Sequence, residues 1–124
     1  MIGFFKKFFS SDNKSESISI DEKTLALMGL EISCFMNWYV EKYNKMFSKE
    51  QVEMIARQFL NDKHEKLDFN SFDVKALTVI SLTTDSKTTD KLRKDTGWDS
   101  KIDKFFKYHN IEIDENDDLK ILDK

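Results

Sequence analysis

Apolar residues recur at positions 25, 28, 32, 35, 39, 43 and 46, in steps of three and four. That spacing is the seam of an α-helix. A second apolar row, Leu27, Leu30, Cys34 and Trp38, covers another side. From Thr24 to Val40 only Glu31 is charged, in a chain whose residues are 35% charged. A helix apolar over most of its circumference is normally enclosed by other elements. The pattern therefore predicts a central buried helix, running from Ser19–Asp21 to about Phe47, with Ser19 and Glu22 in capping-box register.

Later segments repeat the helical period. Ser48 and Gln51 mark the start of a second helix over about 49–63, with Val52, Ile55, Ala56, Phe59 and Leu60 as its stripe. The short connection at Ser48 predicts that these two helices are antiparallel neighbours. Residues 63–70 read as a loop, and Ser71 as a cap for a third helix over about 72–83. Val79–Thr84 is rich in β-branched residues and would also suit a strand. No partner strand is evident, so helix is expected there. A fourth helix is expected over about 89–96, ended by Gly97, and a fifth over about 99–109, with Ser100 and Asp103 as its box and Asn110 as its stop. Ile111 and Ile113 alternate with acids and suit a short extended piece. An acidic loop over 114–118 and a last apolar group, Leu119, Ile121 and Leu122, follow.

The first residues carry a different pattern. Wound as a helix, Phe4, Phe5, Phe8 and Phe9 fall within an arc of roughly 140°, with Lys6 and Lys7 opposite. Residues 10–19 are Ser-rich and aperiodic, a linker. The expected organisation is an amphipathic helix over 1–9, a linker over 10–19 and a helical domain over 20–124. Its fold class is all-α, a single-domain bundle of four to five helices.

Composition agrees with long helices. The 124 residues include no Pro and only three Gly, so strong helix breakers and the usual hairpin-turn residues are scarce. Eleven Phe supply material for a core. The net charge of −3 argues against a general nucleic-acid binder. One cysteine, Cys34, cannot form an intramolecular disulfide, which fits a reducing compartment. No secretory leader is expected, and Thr24–Val40 is short and polar for a membrane span. A cytoplasmic location is expected, at the inner face of the membrane if residues 1–9 bind lipid.

Candidate chemistry is sparse. There is no Gly-rich phosphate loop, no nucleophile elbow, and no Cys or His pair at metal spacing, so no catalytic residue, cofactor or metal is expected. His64 and His109 lie far apart and near expected helix ends. Glu31 is the candidate buried acid. A carboxylate on an apolar helix has a raised pKa unless it is paired. Against that stands a plain solvent-facing or ion-paired role. Asp114, Asn116 and Asp118 imitate the start of a calcium loop but lack its turn Gly and closing Glu. Residues 89–109 resemble a helix-turn-helix in outline, with Lys91, Arg93, Lys94, Lys101, Lys104 and Lys107. Asp95, Asp99 and Asp103 oppose phosphate contact there.

Phe4, Phe5, Lys6, Lys7, Phe8 and Phe9 are candidates for contact with a partner or a membrane surface. Trp38, Tyr39 and Tyr43 are candidate contact aromatics, with core packing as the plainer reading. The function expected from all this is a small non-enzymatic protein-binding module. An inhibitor or immunity protein that neutralises a basic toxin or enzyme is one form of it. A peripheral membrane protein and a helix-turn-helix-like DNA-binding regulator are the alternatives.

Overall fold

A computed structural model describes residues 18–63 and 69–122, with nothing to say of the side chains of 62 and 63. The expected N-terminal helix, almost all of the linker, and His64 lie outside the described residues. Five α-helices are described: α1 Glu22–Tyr43, α2 Lys49–Lys63, α3 Ser71–Thr83, α4 Ser86–Thr96 and α5 Ile102–His109. A 3-10 turn, Trp98–Lys101, joins α4 to α5, and two strands, β1 Ile111–Ile113 and β2 Leu119–Ile121, follow. The fold is an all-α bundle with one small antiparallel hairpin, in which Ile111 faces Ile121.

Local chemistry sets the ends of α1. Asp21, not Ser19, is its N-cap, and its carboxylate accepts from the Thr24 amide at 3.1 Å. Ser19 is engaged elsewhere, on α3. At the other end Asn44 adopts a left-handed conformation, φ 55°, and stops the helix three residues before the expected Phe47. Asn tolerates that conformation because its short polar side chain can bond locally. The seam residues Leu25, Met28, Ile32, Phe35 and Tyr39 are all buried. Met46, which continues the seam only on paper, lies beyond the stop and is 82% exposed. The second row is less enclosed than expected, because Leu27 is 59% exposed.

Ser48 and Gln51 form the expected capping box of α2, with the Gln51 amide donating to Ser48 Oγ at 3.1 Å and the Ser48 amide to Gln51 Oε1 at 2.8 Å. The expected pairing of α1 with α2 is not the main one. α3 packs extensively on both, and α1 and α2 touch each other little. The reason is composition: α3 carries only Asp73 and Lys75 as charges, and Val74, Ala76, Leu77, Thr78 and Ile80 are all buried. Such a helix needs neighbours on two sides. Val79–Thr83 is helical, as favoured. α3 begins one residue earlier than expected, capped by Asn70 rather than Ser71, with Asp73 completing the box.

α1 and α3 approach so closely at Gly29 that a Cβ there would stand 2.2 Å from Ile80 Cγ2. The other half of the core is aromatic. Phe35 stacks on Phe105 at 4.9 Å and on Phe47 at 5.6 Å, and meets Phe106 edge-on at 5.7 Å. The buried His109 ring lies flat on Phe59, centroids 3.7 Å apart, which is a packing role for that histidine.

The hairpin turn uses carboxylate chemistry rather than Gly. Asp114 Oδ1 accepts from the amides of Asn116 and Asp118 at 2.8 and 3.1 Å, and Asp117 takes the left-handed conformation, φ 64°. Asp side chains substitute for backbone partners in this way. The loop that imitated a calcium site is thus a turn whose first carboxylate is already satisfied.

Cys34 is fully buried, and its thiol is pushed up to about 11, mainly by burial, with Glu31 and Asp99 adding and Arg93 opposing. The ordinary value is 9.0. Two results follow. In the native protein the thiol resists a thiolate-selective reagent at neutral pH and reacts at once on unfolding in guanidinium, a comparison that absorbance reads directly. Between those two values the folded chain keeps a proton that the unfolded chain has lost. Stability therefore falls as pH rises through that window, and Cys34→Ala makes the fall shallower. Rapid native-state labelling at neutral pH would contradict both.

Candidate protein-docking surfaces

Among the described candidates, Trp38, Tyr39 and Tyr43 meet ring to ring, Tyr43 lying 5.8 Å from Trp38 and 5.1 Å from Tyr39 between centroids. Trp38 and Tyr39 are buried in the core, the plainer of the two readings given for them. The seam that carries Tyr39 turns inward, and Trp38 packs edge-on against Phe106 at 5.7 Å. Tyr43 is half-buried, with Lys42 Nζ 6.0 Å from its ring centroid. Glu31 is half-buried rather than enclosed, because its face of α1 borders a surface pocket lined by Trp98, Lys101, Lys104 and Tyr108. Phe4, Phe5, Lys6, Lys7, Phe8 and Phe9 lie outside the described residues.

Among the described residues the fully buried acid is Asp73, which the sequence pattern does not single out. Its Oδ1 accepts from the Ser19 and Ile20 amides at 2.8 and 3.0 Å. Its Oδ2 accepts from Ser19 Oγ at 2.5 Å and the Asn70 amide at 2.8 Å. Every donor is a structural group, so the carboxylate is an anchor for the chain entering α1. The signal was present in Asn70-Ser-Phe-Asp73, a cap followed by an acid three residues on.

Two grooves flank the exposed Leu82. The first lies between α1, α3, the start of α4 and the chain leaving α1. It has a volume of about 280 Å³, and its apolar lining is Met36, Val40, Met46 and Leu82. Val40, Met46 and Leu82 are 38%, 82% and 44% exposed. Serines and threonines, among them Ser33, Ser81 and Thr84, complete the lining, with no charged residue. Asn37 also lines it, and belongs at the same time to an ion cluster.

That cluster is centred on Arg93, 7% exposed, which reaches from α4 to α1. Its Nε and Nη2 donate to both oxygens of Asp99 at 2.8 and 2.7 Å, and Nη1 donates to Asn37 Oδ1 and to Glu41 Oε2 at 2.5 and 2.9 Å. Asp90 stands 3.9 Å away. The bidentate pair holds the Asp99 carboxyl below the usual range, and Asp99 is the first cause holding the guanidinium charged far above any accessible pH. Arg93 is thus removed from the cations expected to meet DNA, and Lys91 pairs with Asp95 at 3.2 Å. The expected box of Ser100 and Asp103 does not form: the 3-10 turn intervenes, Lys101 stands at the N-cap of α5, and Ser100 Oγ donates back to the Gly97 carbonyl at 2.7 Å.

The second groove, about 420 Å³, runs between α2 and α3. Lys49, Glu53 and Arg57 line it from α2, and Val74, Lys75, Val79 and Leu82 from α3.

Among the described residues no group of three or more His, Cys, Asp or Glu is placed to hold a metal ion. None of the described helices is long and apolar enough to cross a membrane. No family model, curated protein or solved structure matches this chain.

Proposed function

We propose that this protein is a non-enzymatic module that binds another protein through the groove of Met36, Val40, Met46 and Leu82. The observation that carries the reading is the shared exposure of Val40, Met46 and Leu82 in one uncharged concavity. Single exposed apolar residues are ordinary, whereas a grouped set with a polar rim marks a contact surface. Two of the four are methionines, whose flexible side chains adapt to a partner's shape.

Charge beside the groove supports a basic partner. Glu41, Asp90 and Asp99 surround one guanidinium, so the cluster is net acidic, and Asn37 joins it to the groove. Acidic surfaces of this kind steer basic proteins into contact. An inhibitor or immunity protein that neutralises a basic toxin or enzyme is the narrower form of this reading. A buried lone cysteine fits a cytoplasmic setting for it.

The test is a capture experiment with the full chain and with Val40→Glu/Met46→Glu. Both side chains face solvent, so the double variant keeps the native melting temperature. The native chain retains a basic protein from extracts of its source cell, and the variant retains it roughly tenfold less or worse, about 1.4 kcal/mol. Equal retention by the two, or no specific protein with either, overturns the proposal.

A further inference from the structure

The α2–α3 groove is locally basic, opposite in sign to the net charge of the chain. Lys49, Arg57 and Lys75 set three cations around it against one carboxylate, Glu53, in a chain of net charge −3. That carboxylate is already engaged with Arg57 at 3.8 Å. Both partners are half-exposed, and such surface pairs exchange easily. Between the cations lies an apolar strip, the buried Val74, the half-buried Val79 and the exposed Leu82. From Val74 to Leu82 the strip runs just over two turns, about 12 Å at 1.5 Å per residue.

We infer that this groove receives an acidic amphipathic helix of a partner protein. The strip is as long as two turns of a guest helix, whose apolar side chains at i, i+3, i+4 and i+7 would lie on Val79 and Leu82. Its carboxylates then meet Lys49, Arg57 and Lys75. A guest strand has nothing to pair with, because the backbone groups of α2 and α3 are spent within their helices. A bilayer meets a protruding face rather than a recess between two helices. The chain as a whole is net acidic, so an acidic guest gains from alignment with these three cations, which gives specificity along with affinity. The inference concerns a different groove from the one proposed above, sharing Leu82 with it, and substitutions that spare Leu82 test the two separately.

A displayed library of random helical peptides, panned on the full chain, tests it. The expected binders are amphipathic and net acidic. Their affinity falls roughly tenfold or more with Lys49→Glu/Lys75→Glu, and is unmoved by Val40→Glu/Met46→Glu. All four side chains are exposed, so matched melting curves confirm that the variants are folded. Vesicles of phosphatidylglycerol do not compete. The inference is overturned if no binders emerge, if they are neutral or basic, if the lysine reversals leave binding intact, or if the vesicles displace the peptides.

Discussion

Asp73→Ala destabilises the protein by about 3 kcal/mol and frees the segment entering α1. Removing the carboxylate leaves the amides of Ser19, Ile20 and Asn70 without their acceptor, the Ile20 amide in a buried place and the other two in part-buried ones. A buried donor so orphaned costs about 1–3 kcal/mol, and these three share one acceptor, so the losses do not simply add. Relaxation of the chain before α1 recovers part of the penalty. Asp73→Asn costs less, about 1–2 kcal/mol. Its carbonyl can take the place of Oδ1, and the Ser19 hydroxyl can turn to accept from its amide. Urea unfolding gives the two differences. Hydrogen exchange supplies a second readout, since the Ser19 and Ile20 amides exchange much faster in the Ala variant. A loss below about 0.5 kcal/mol, with those amides still protected, would show that the carboxylate is not the anchor described.

Gly29→Ala is the second large effect, and its sign runs against helix propensity. In an exposed helix Ala stabilises by about 1 kcal/mol over Gly. Here the added methyl stands 2.2 Å from Ile80 Cγ2 and 3.0 Å from Ile80 Cβ. The neighbour is a β-branched side chain on a packed helix, with few rotamers to escape into. α1 and α3 must separate or rotate, and overpacking of this kind costs about 1–3 kcal/mol. We expect a net loss of about 2 kcal/mol on thermal or urea unfolding. The partner substitution gives the diagnosis. Ile80→Ala alone costs roughly 2–4 kcal/mol through lost burial and a cavity. Combined with Gly29→Ala it costs less than the two singles added, because the new methyl partly fills the space that Ile80 vacates. Strict additivity would mean that the two positions do not meet.

Much of the helical framework was legible because it rests on local chemistry. The Ser48–Gln51 box, the Gly97 stop and the Asn110 stop each depend on a few neighbouring residues. The errors arose where a different residue type did the same work. Asn44 ended α1 where no Gly marked a stop, and Asp85 capped α4 three residues ahead of the expected start. The extended piece at Ile111–Ile113 is β1, but its pairing with β2 was not expected, because the turn is closed by Asp114 rather than by Gly. The spatial order of helices was missed for another reason. A short connection makes two helices sequential, but only the near absence of charge on α3 makes it the one in the middle.

The candidate surfaces were legible only in part. Periodicity assigned Met46 to the buried seam, since it cannot register a stop at residue 44. Neither groove corresponds to a motif. Val40 and Leu82 belong to different helices, as do Arg57 and Lys75, and their meeting is a product of packing. Whole-chain charge pointed towards a basic partner and is silent about a local patch of the other sign. Trp38 and Tyr39 show the converse, being aromatics that suit an interface and are used up by the core.

The hairpin after α5 is tied to α1 across most of the sequence. The Tyr39 hydroxyl donates to the Asp117 carbonyl, and Lys45 Nζ donates to the Asn116 carbonyl at 2.8 Å and Asp118 Oδ1 at 3.1 Å. Two strands of three residues have little stability of their own. Their persistence is therefore lent by a helix that leaves the ribosome some seventy residues sooner, so this corner of the molecule assembles late, onto a surface already waiting for it.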